Sequence, residues 1–311
     1  SVATMIGDLA PDVPLLWPPP LRRALLHGTS CSLAVESQDQ LASLLCDALS
    51  DLAACSPSED GALGGGDFYG AFRIAQAVLL SRAHAGQGKP LALVPGLDLL
   101  NHAGPSANAE VVLDSQNDAF QLLTTREVLA GEQLTIDYGA LPSHKFLRLY
   151  GFLPDICPIE GSHTMPRKDE EVVLHLLPAG APGAAEAGKA LRASGLPTRV
   201  PLRWDVPRGA QHADAASESN SEPDSSSAVA LPFDGLALSE RSAAVHVLTR
   251  AVIEQQTRLS EGREACEVIR GASSKLGEKA ANRAELCLQL NRREMTLLEA
   301  ARVQLMGQSD G

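Results

Sequence analysis

Apolar residues recur along this chain with two different periods, and the change from one to the other divides it. Over residues 41–55, Leu41, Leu44, Leu45, Ala48 and Leu52 fall at helical spacing, which predicts a helix with one buried stripe. A break follows over residues 56–66 and closes on Gly64-Gly65-Gly66. Residues 68–83 return to the helical period, with Phe68, Phe72, Ala75 and Leu79 on one face. This helix is predicted to end at Ser81-Arg82, ahead of Gly86 and Gly88. Beyond it the period drops to two. Residues 109–113 and 119–125 flank the turn-forming Ser115-Gln116-Asn117-Asp118 and predict a hairpin. Leu134, Ile136 and Tyr138 alternate, so their side chains share one face of a further strand. Ser143 stands where it can cap a short helix carrying Phe146, Leu147 and Tyr150.

The C-terminal half has a different texture. Residues 178–232 are rich in Ala, Gly, Pro and Ser, and residues 215–227 hold only Ser, Ala, Glu, Asn, Asp and Pro. Such a stretch buries too little apolar area to offset its ordering entropy and reads as disordered. From about residue 239 to 306 the helical period is strong: Leu286, Leu290, Leu297, Ala301 and Leu305 recur near multiples of a turn, among charges of alternating sign. No internal repeat is visible. The expected class is α+β, with helices and short strands in the first half and a helical domain in the last 70 or so residues.

Composition adds limits. The 311 residues suit two domains or one elaborated domain, and 44% hydrophobic with 21% charged content is ordinary for a globular protein. No run of about eighteen apolar residues exists, so no membrane association is expected. The first residues lack a basic segment followed by an apolar core, and the chain does not start with Met, so it reads as processed or as a fragment rather than as secreted. The net charge of −12 is uneven: residues 1–160 hold 18 Asp/Glu against 8 Lys/Arg. That half repels nucleic-acid backbones and attracts a basic protein surface, although an acidic surface also serves solubility alone. Cys31, Cys46, Cys55, Cys157, Cys266 and Cys287 form no C-x-x-C pair, and no His pair lies at finger spacing. A metal is therefore not expected, and scattered thiols without a secretory signal suggest a soluble, intracellular protein in a reducing compartment.

Several residues bear chemistry. Tyr138 ends its strand before Gly139, so its ring can project there, and Tyr150 lies on the next helix. The two phenols suit an apolar slot that aims hydroxyls at a nitrogen, but isolated tyrosines more often only fill a core. Asp98 and His102 lie four apart, yet no third metal ligand is near, and Asn101-His102 alone suits turn hydrogen bonds equally well.

Read in order, Asp98-Leu99-Leu100-Asn101-His102, then Gly131 to Gly139 as Gly-Glu-x-Leu-x-x-x-Tyr-Gly, then Tyr150-Gly151-Phe152 resemble the C-terminal half of a SET domain, the fold of many protein-lysine methyltransferases. Phe72 to Ser81-Arg82, a helical C-terminal region and the lack of cysteine clusters resemble the Rubisco large-subunit methyltransferase-like branch. The resemblance implies a SET-domain β-fold of short strands with inserted helices. It implies a partial SET domain over 1–160, with an inserted helical region at about 15–90 and the SET C-terminal motifs at 91–155. A linker with the disordered insertion over 161–238 and a helical, substrate-binding-like domain over 239–311 would follow. It further implies S-adenosylmethionine as cofactor, a non-histone protein lysine as acceptor, and a monomer. Arg82, Asp98, Asn101, His102 and Tyr138 would bind the cofactor; Tyr138 would be catalytic; Ser81, Asp98, Tyr150 and Phe152 would bind the substrate. A plastid location would follow from the resemblance alone; cytoplasm and nucleus fit equally.

Two departures stand out. The Gly-x-Gly cofactor motif that opens SET domains is not found upstream of residue 41, so the chain reads as a fragment whose pocket is completed before Ser1, or as a degenerate, non-catalytic interaction module. His84 stands where the branch often has an aromatic residue. A histidine ring is the alternative acceptor.

Overall fold

The computed structural model describes residues 10–55, 68–84, 92–114, 116–117, 119–154, 169–176, 191, 194–205, 228–233, 236 and 238–309. Residues 56–66, Gly86, Gly88, residues 215–227, Cys157 and the side chains of Leu52, Cys55 and Phe68 lie outside this description. Two compact units emerge: Ser1–Pro18, Leu33–Leu141 and Lys145–Pro154 form the first, and Pro19–Ser32, Pro142–His144 and Asp155–Gly311 the second. Among the described residues no helix is long and apolar enough to cross a membrane.

The helices are α1 (Pro19–Leu25), α2 (Ser30–Cys55), α3 (Phe68–Arg82), α4 (Ser143–Tyr150), α5 (Leu238–Gly271), α6 (Ser273–Leu276) and α7 (Glu278–Ser309). The strands are β1 (Asn101–His102), β2 (Ala109–Asp114), β3 (Ala119–Thr124), β4 (Thr135–Ile136), β5 (Glu171–His175), β6 (Arg199–Asp205) and β7 (Ala228–Ala230). The α+β class and the helical C-terminal region thus match the sequence pattern.

In the first unit, β2 and β3 form the expected antiparallel hairpin, with Leu113 opposite Phe120. Asp114 shapes its turn, accepting hydrogen bonds from the backbone N–H groups of Gln116 and Asn117. Two side-chain amides do the same, Asn117 at 2.7 Å and Gln121 at 2.9 Å, and the Asn117 amide contributes most to holding the Asp114 carboxyl below the usual carboxylate range. Strands β1 and β4 pair in parallel, Asn101 with Thr135 and His102 with Ile136. Trp17 is wholly buried, its indole N–H donating to the Asp12 carboxylate at 3.1 Å.

Helix α7 buries Leu290, Leu297, Ala301 and Leu305 of its expected stripe, whereas α2 and α3 do not bury the faces their periodicity suggests. On α2, Leu41, Leu44, Leu45 and Leu49 are exposed, Leu44 by 66%, and Ala48 is exposed as well; the buried line is Val35, Ala42 and Cys46. On α3, Ala77 packs with Val13 and Leu15, while Ala75 and Leu79 are exposed. Apolar residues surround much of both helices, so periodicity sees the larger side chains, whereas packing selects the line of small ones.

In the second unit, β5, β6 and β7 form an antiparallel sheet within residues 161–238, which the resemblance assigns to a linker. Val172, Leu174, Val200, Leu202 and Val229 share one core with Ala244, Leu248 and Val252 of α5 and Leu297, Leu298, Ala301 and Leu305 of α7. Helices α5 and α7 run antiparallel, with Asn291 donating to the Leu259 carbonyl at 2.7 Å and Arg270 bound to Glu285 at 2.8 Å. Two helix starts rest on buried glutamates. Ser30, first in α2, donates its N–H to both Glu294 oxygens at 3.0 and 3.1 Å. Ser143 begins α4 and does not cap it with its own side chain. Its N–H and its hydroxyl both donate to Glu170, and Arg293 donates to the Ser143 hydroxyl at 2.6 Å. A carboxyl oxygen at a helix N-terminus meets N–H groups that have no partner within the helix.

Candidate active site

The site belongs to the first unit, and two strand ends and one helix end build it. Arg82 ends α3, and its guanidinium donates to the carbonyl of Asp98 at 2.8 Å. The carboxylate of Asp98 accepts the N–H of Gly96 at 2.8 Å, so the turn Leu97–Leu99 is held from both sides. The next residues enter β1, and the pairing of β1 with β4 brings Tyr138 to this turn. The Tyr138 hydroxyl donates to the carbonyl of Leu100 at 2.6 Å, and its backbone N–H donates to Nδ1 of His102 at 3.1 Å. Because Nδ1 accepts that amide, it carries no proton, and the 3.6 Å approach of the Asp137 carboxylate is not a charged bridge through it. Asp137 instead accepts the N–H of Gly139 at 2.9 Å.

Aromatic rings surround this strand end. Tyr138 lies 4.5 Å from Tyr150 and 5.1 Å from His102, centroid to centroid. His102 lies 5.0 Å from Phe146, which lies 5.5 Å from Phe152. All pairs are tilted, the arrangement the ring quadrupoles favour. Gly151 has a φ of +80°, and a Cβ there would stand 2.7 Å from the carbonyl oxygen of Asp12, so the step from Tyr150 to Phe152 requires glycine.

A cleft of about 630 Å³ opens at this cluster, within the usual size of a small-molecule site. Of the residues singled out in the sequence, Ser81, Arg82, Asp98, Tyr138 and Tyr150 line it. His102 and Phe152 do not line it; they pack against the lining tyrosines. Asn101 is exposed on β1 and is also absent from the lining. His84, noted in the sequence only as a departure, lines the cleft too, and the cleft further holds residues that sequence reasoning missed: Val111, Leu113, Phe120 and Asp137. The alternation of the hairpin carried a usable signal for Val111, Leu113 and Phe120, since cross-strand partners share a face. Asn108 carried none, being a loop residue in sequence. It is buried, donates to the Gln133 carbonyl at 2.9 Å and accepts the N–H of Thr135 at 2.9 Å, and so fixes the entry to β4.

Burial pushes the phenols of Tyr138 and Tyr150 up from their ordinary value, the charge of Arg82 partly opposing the rise at Tyr138. Both therefore stay neutral and remain hydrogen-bond donors at physiological pH. In the turn that leads to β4, the Arg126 guanidinium and the Leu129 N–H hold the Glu132 carboxyl down at about 2, and the carboxylate accepts the Leu129 N–H at 3.1 Å. The arrangement combines one guanidinium, two carboxylates, two neutral phenols and an apolar wall. It suits a ligand with an anionic group at one end, and an apolar or cationic side chain presented to the tyrosines.

The class this geometry defines is found in the comparisons. Residues 36–139 match the family model of the SET domain, and the architecture is a SET-domain fold with a helical C-terminal region. Among solved structures, the chain is similar to the SET domain of LSMT bound to lysine and AdoHcy, with a TM-score of 0.53, 15% identity, and coverage of 96% of this chain and 68% of that one. It is similar to Rubisco LSMT bound to AdoMet, with a TM-score of 0.52, 15% identity, and coverage of 97% and 69%. It is also similar to Rubisco LSMT bound to sinefungin and monomethyllysine, with a TM-score of 0.52, 15% identity, and coverage of 96% and 68%. No curated protein matches it in sequence.

Proposed function

We propose that this chain is an S-adenosylmethionine-dependent protein-lysine N-methyltransferase acting on a non-histone protein. One observation carries the reading. The Tyr138 hydroxyl, held by the Leu100 carbonyl, stands in the wall of a cleft shared by Arg82, Asp98 and Tyr150, within or next to the matched SET residues. The structures of similar fold hold lysine, methyllysine, AdoMet or AdoHcy by their descriptions, which supports the same ligand pair here. The acidic first half and the Rubisco LSMT likeness support a basic, non-histone protein segment as acceptor.

The cleft residues fit the cofactor. Its carboxylate suits the Arg82 guanidinium and its ammonium suits the carboxylate side of the Asp98 turn. Asn101 and His102, on β1 and outside the cleft lining, would contact it only at its edge, His102 through its backbone. When bound, it supplies an already activated methyl on a sulfonium, so the protein's task is orientation. The acceptor amine must be neutral, with its lone pair directed at that methyl. Tyr138, Tyr150 and Phe152 would form the channel that desolvates the lysine and lowers its pKa. Ser81 and Asp98 would stand beside the amine. Tyr138, neutral and fixed by Leu100, would orient the amine and touch the polarised methyl through weak C–H···O contacts. Positioning of this kind supplies much of the rate.

Calorimetry with S-adenosylmethionine, followed by mass spectrometry of lysine peptides after incubation, tests the reading. Binding in the micromolar range and a mass gain on lysine are expected. No binding sinks the enzyme in favour of an interaction module, and a gain on histidine alone changes the acceptor.

A further inference from the structure

One wall of the cleft is left unused by the residues assigned so far: the wall that His84 forms with the β2–β3 hairpin. His84 follows the end of α3, and its backbone is clamped. Its N–H donates to the carbonyl of Ala92, and the Ala92 N–H donates back, each at 2.9 Å. Its ring packs 6.4 Å from Phe120, tilted by 53°, and Phe120 in turn faces Leu113 across the hairpin. The imidazole lines the same cleft as Arg82, Asp98 and Tyr138. Its Nε2 is buried and has no hydrogen-bond partner among the described residues. A buried ring nitrogen without a partner is disfavoured, and a phenylalanine would fill the slot beside Phe120 free of that penalty. The polar ring makes sense where its partner arrives with a ligand.

The wall decides which ligand. Arg82, Asp98 and Tyr138, assigned to the cofactor, come from the end of α3, the turn before β1 and the residues just after β4. None comes from the hairpin, which His84 joins. We infer that His84 is a specificity-determining residue, its imidazole hydrogen-bonding a peptide group of the acceptor segment beside the target lysine. A neutral imidazole carries one donor and one acceptor nitrogen, which matches the N–H or C=O of a peptide group. Which nitrogen donates is set by the tautomer, so Nε2 can meet either the N–H or the C=O of a peptide group while the ring stays against Phe120. The inference rests on the methyltransferase reading and deepens it: the site reads backbone around the lysine as well as its side chain.

Two probes separate those contributions. Nα-acetyl-lysine methylamide has peptide groups on both sides of the lysine, and n-butylamine has none. Binding of each is measured by calorimetry with AdoHcy present, in the full chain and in His84→Phe and His84→Gln. His84→Phe is expected to weaken the capped lysine by about threefold to tenfold, the size of one neutral hydrogen bond, and to leave n-butylamine and S-adenosylmethionine affinity unchanged. His84→Gln, which keeps a donor and an acceptor, recovers part of the loss. The inference is overturned if His84→Phe leaves the capped lysine unaffected, weakens both probes alike, or shifts S-adenosylmethionine affinity. Wild-type chain that binds no S-adenosylmethionine removes the methyltransferase reading and this inference together, so the two failures are distinguishable.

Discussion

Tyr138 and Leu100 lie 38 positions apart in sequence and meet at 2.6 Å, phenol to carbonyl. The contact does two things at once. It satisfies the hydroxyl of a tyrosine whose ring is half-buried, and it points the phenol into the cleft beside Arg82. The strand pairing that makes it is only two residues long, so much of the aim comes from side chains: the His102 ring accepting the Tyr138 amide, and Tyr150 packed on the phenol.

Tyr138→Phe keeps the ring contacts and deletes the hydroxyl. Turnover on a lysine peptide is expected to fall by about a hundredfold or more, the scale for losing one aligned polar group at a reacting centre. S-adenosylmethionine affinity should change by less than about threefold. Single-turnover kinetics and calorimetry read the two quantities separately; equal turnover in mutant and wild type would remove Tyr138 from catalysis.

The pH dependence of stability should carry the signature of Glu294. Burial pushes this carboxyl from its ordinary 4.5 to about 8, the neighbouring Glu170 adding to the rise and the Ser30 hydrogen bonds opposing it. The folded state therefore holds the proton more tightly than the unfolded one. Its contribution is fully present below about pH 4.5 and is lost as pH rises to and through about 8. Glu294→Gln, close in shape to the protonated acid, should flatten this fall by a few kcal/mol between pH 5 and 9 in urea titrations. Parallel curves for the two proteins would show that Glu294 is ionised throughout.

Gly151 and Gly139 both have positive φ, but they differ in surroundings. A Cβ at Gly139 meets nothing within 4 Å, whereas one at Gly151 meets the Asp12 carbonyl oxygen at 2.7 Å. Gly139→Ala should cost only the backbone strain, about 1–2 kcal/mol. Gly151→Ala adds a clash with backbone that cannot yield, and should cost more than about 3 kcal/mol with loss of the site. Thermal melts of the two variants rank them; the reverse order would contradict the packing described.

Glu170 gathers the first N–H of α4, the Ser143 hydroxyl and, at 3.8 Å, Arg293 into one buried cluster. Glu170→Ala removes the acceptor and leaves buried donors and a buried cation behind, at about 3 kcal/mol. Replacing Glu170 and Arg293 together by Leu and Met should cost less than the single change. A double-mutant cycle by denaturant titration checks the sign.

The sequence by itself determined the kinds of element in the first half and in the helical C-terminal region, and the likeness to the SET-domain fold. A 3.6-residue period marks α2, α3, α5 and α7, because a helix repeats its environment within a few residues of chain. Alternation on both sides of a polar turn marks the hairpin for the same local reason, and Asn101-His102, Gly131–Gly139 and Tyr150-Gly151-Phe152 in that order carry the likeness to SET domains. The tertiary structure alone decided which faces of α2 and α3 are buried and which side chains meet. Leu41, Leu44 and Leu45 form the stronger stripe on α2, yet Ala42 and Cys46 are buried, since the core accepts the side that fits its neighbours. Asn108 reads as loop and proves to anchor β4; His84 reads as an anomaly and proves to line the cleft; the linker-like stretch supplies a sheet. Each of these depends on contacts between residues far apart in sequence, such as Asn101 with Thr135 or Ser30 with Glu294, and such pairings leave no periodic trace in the chain.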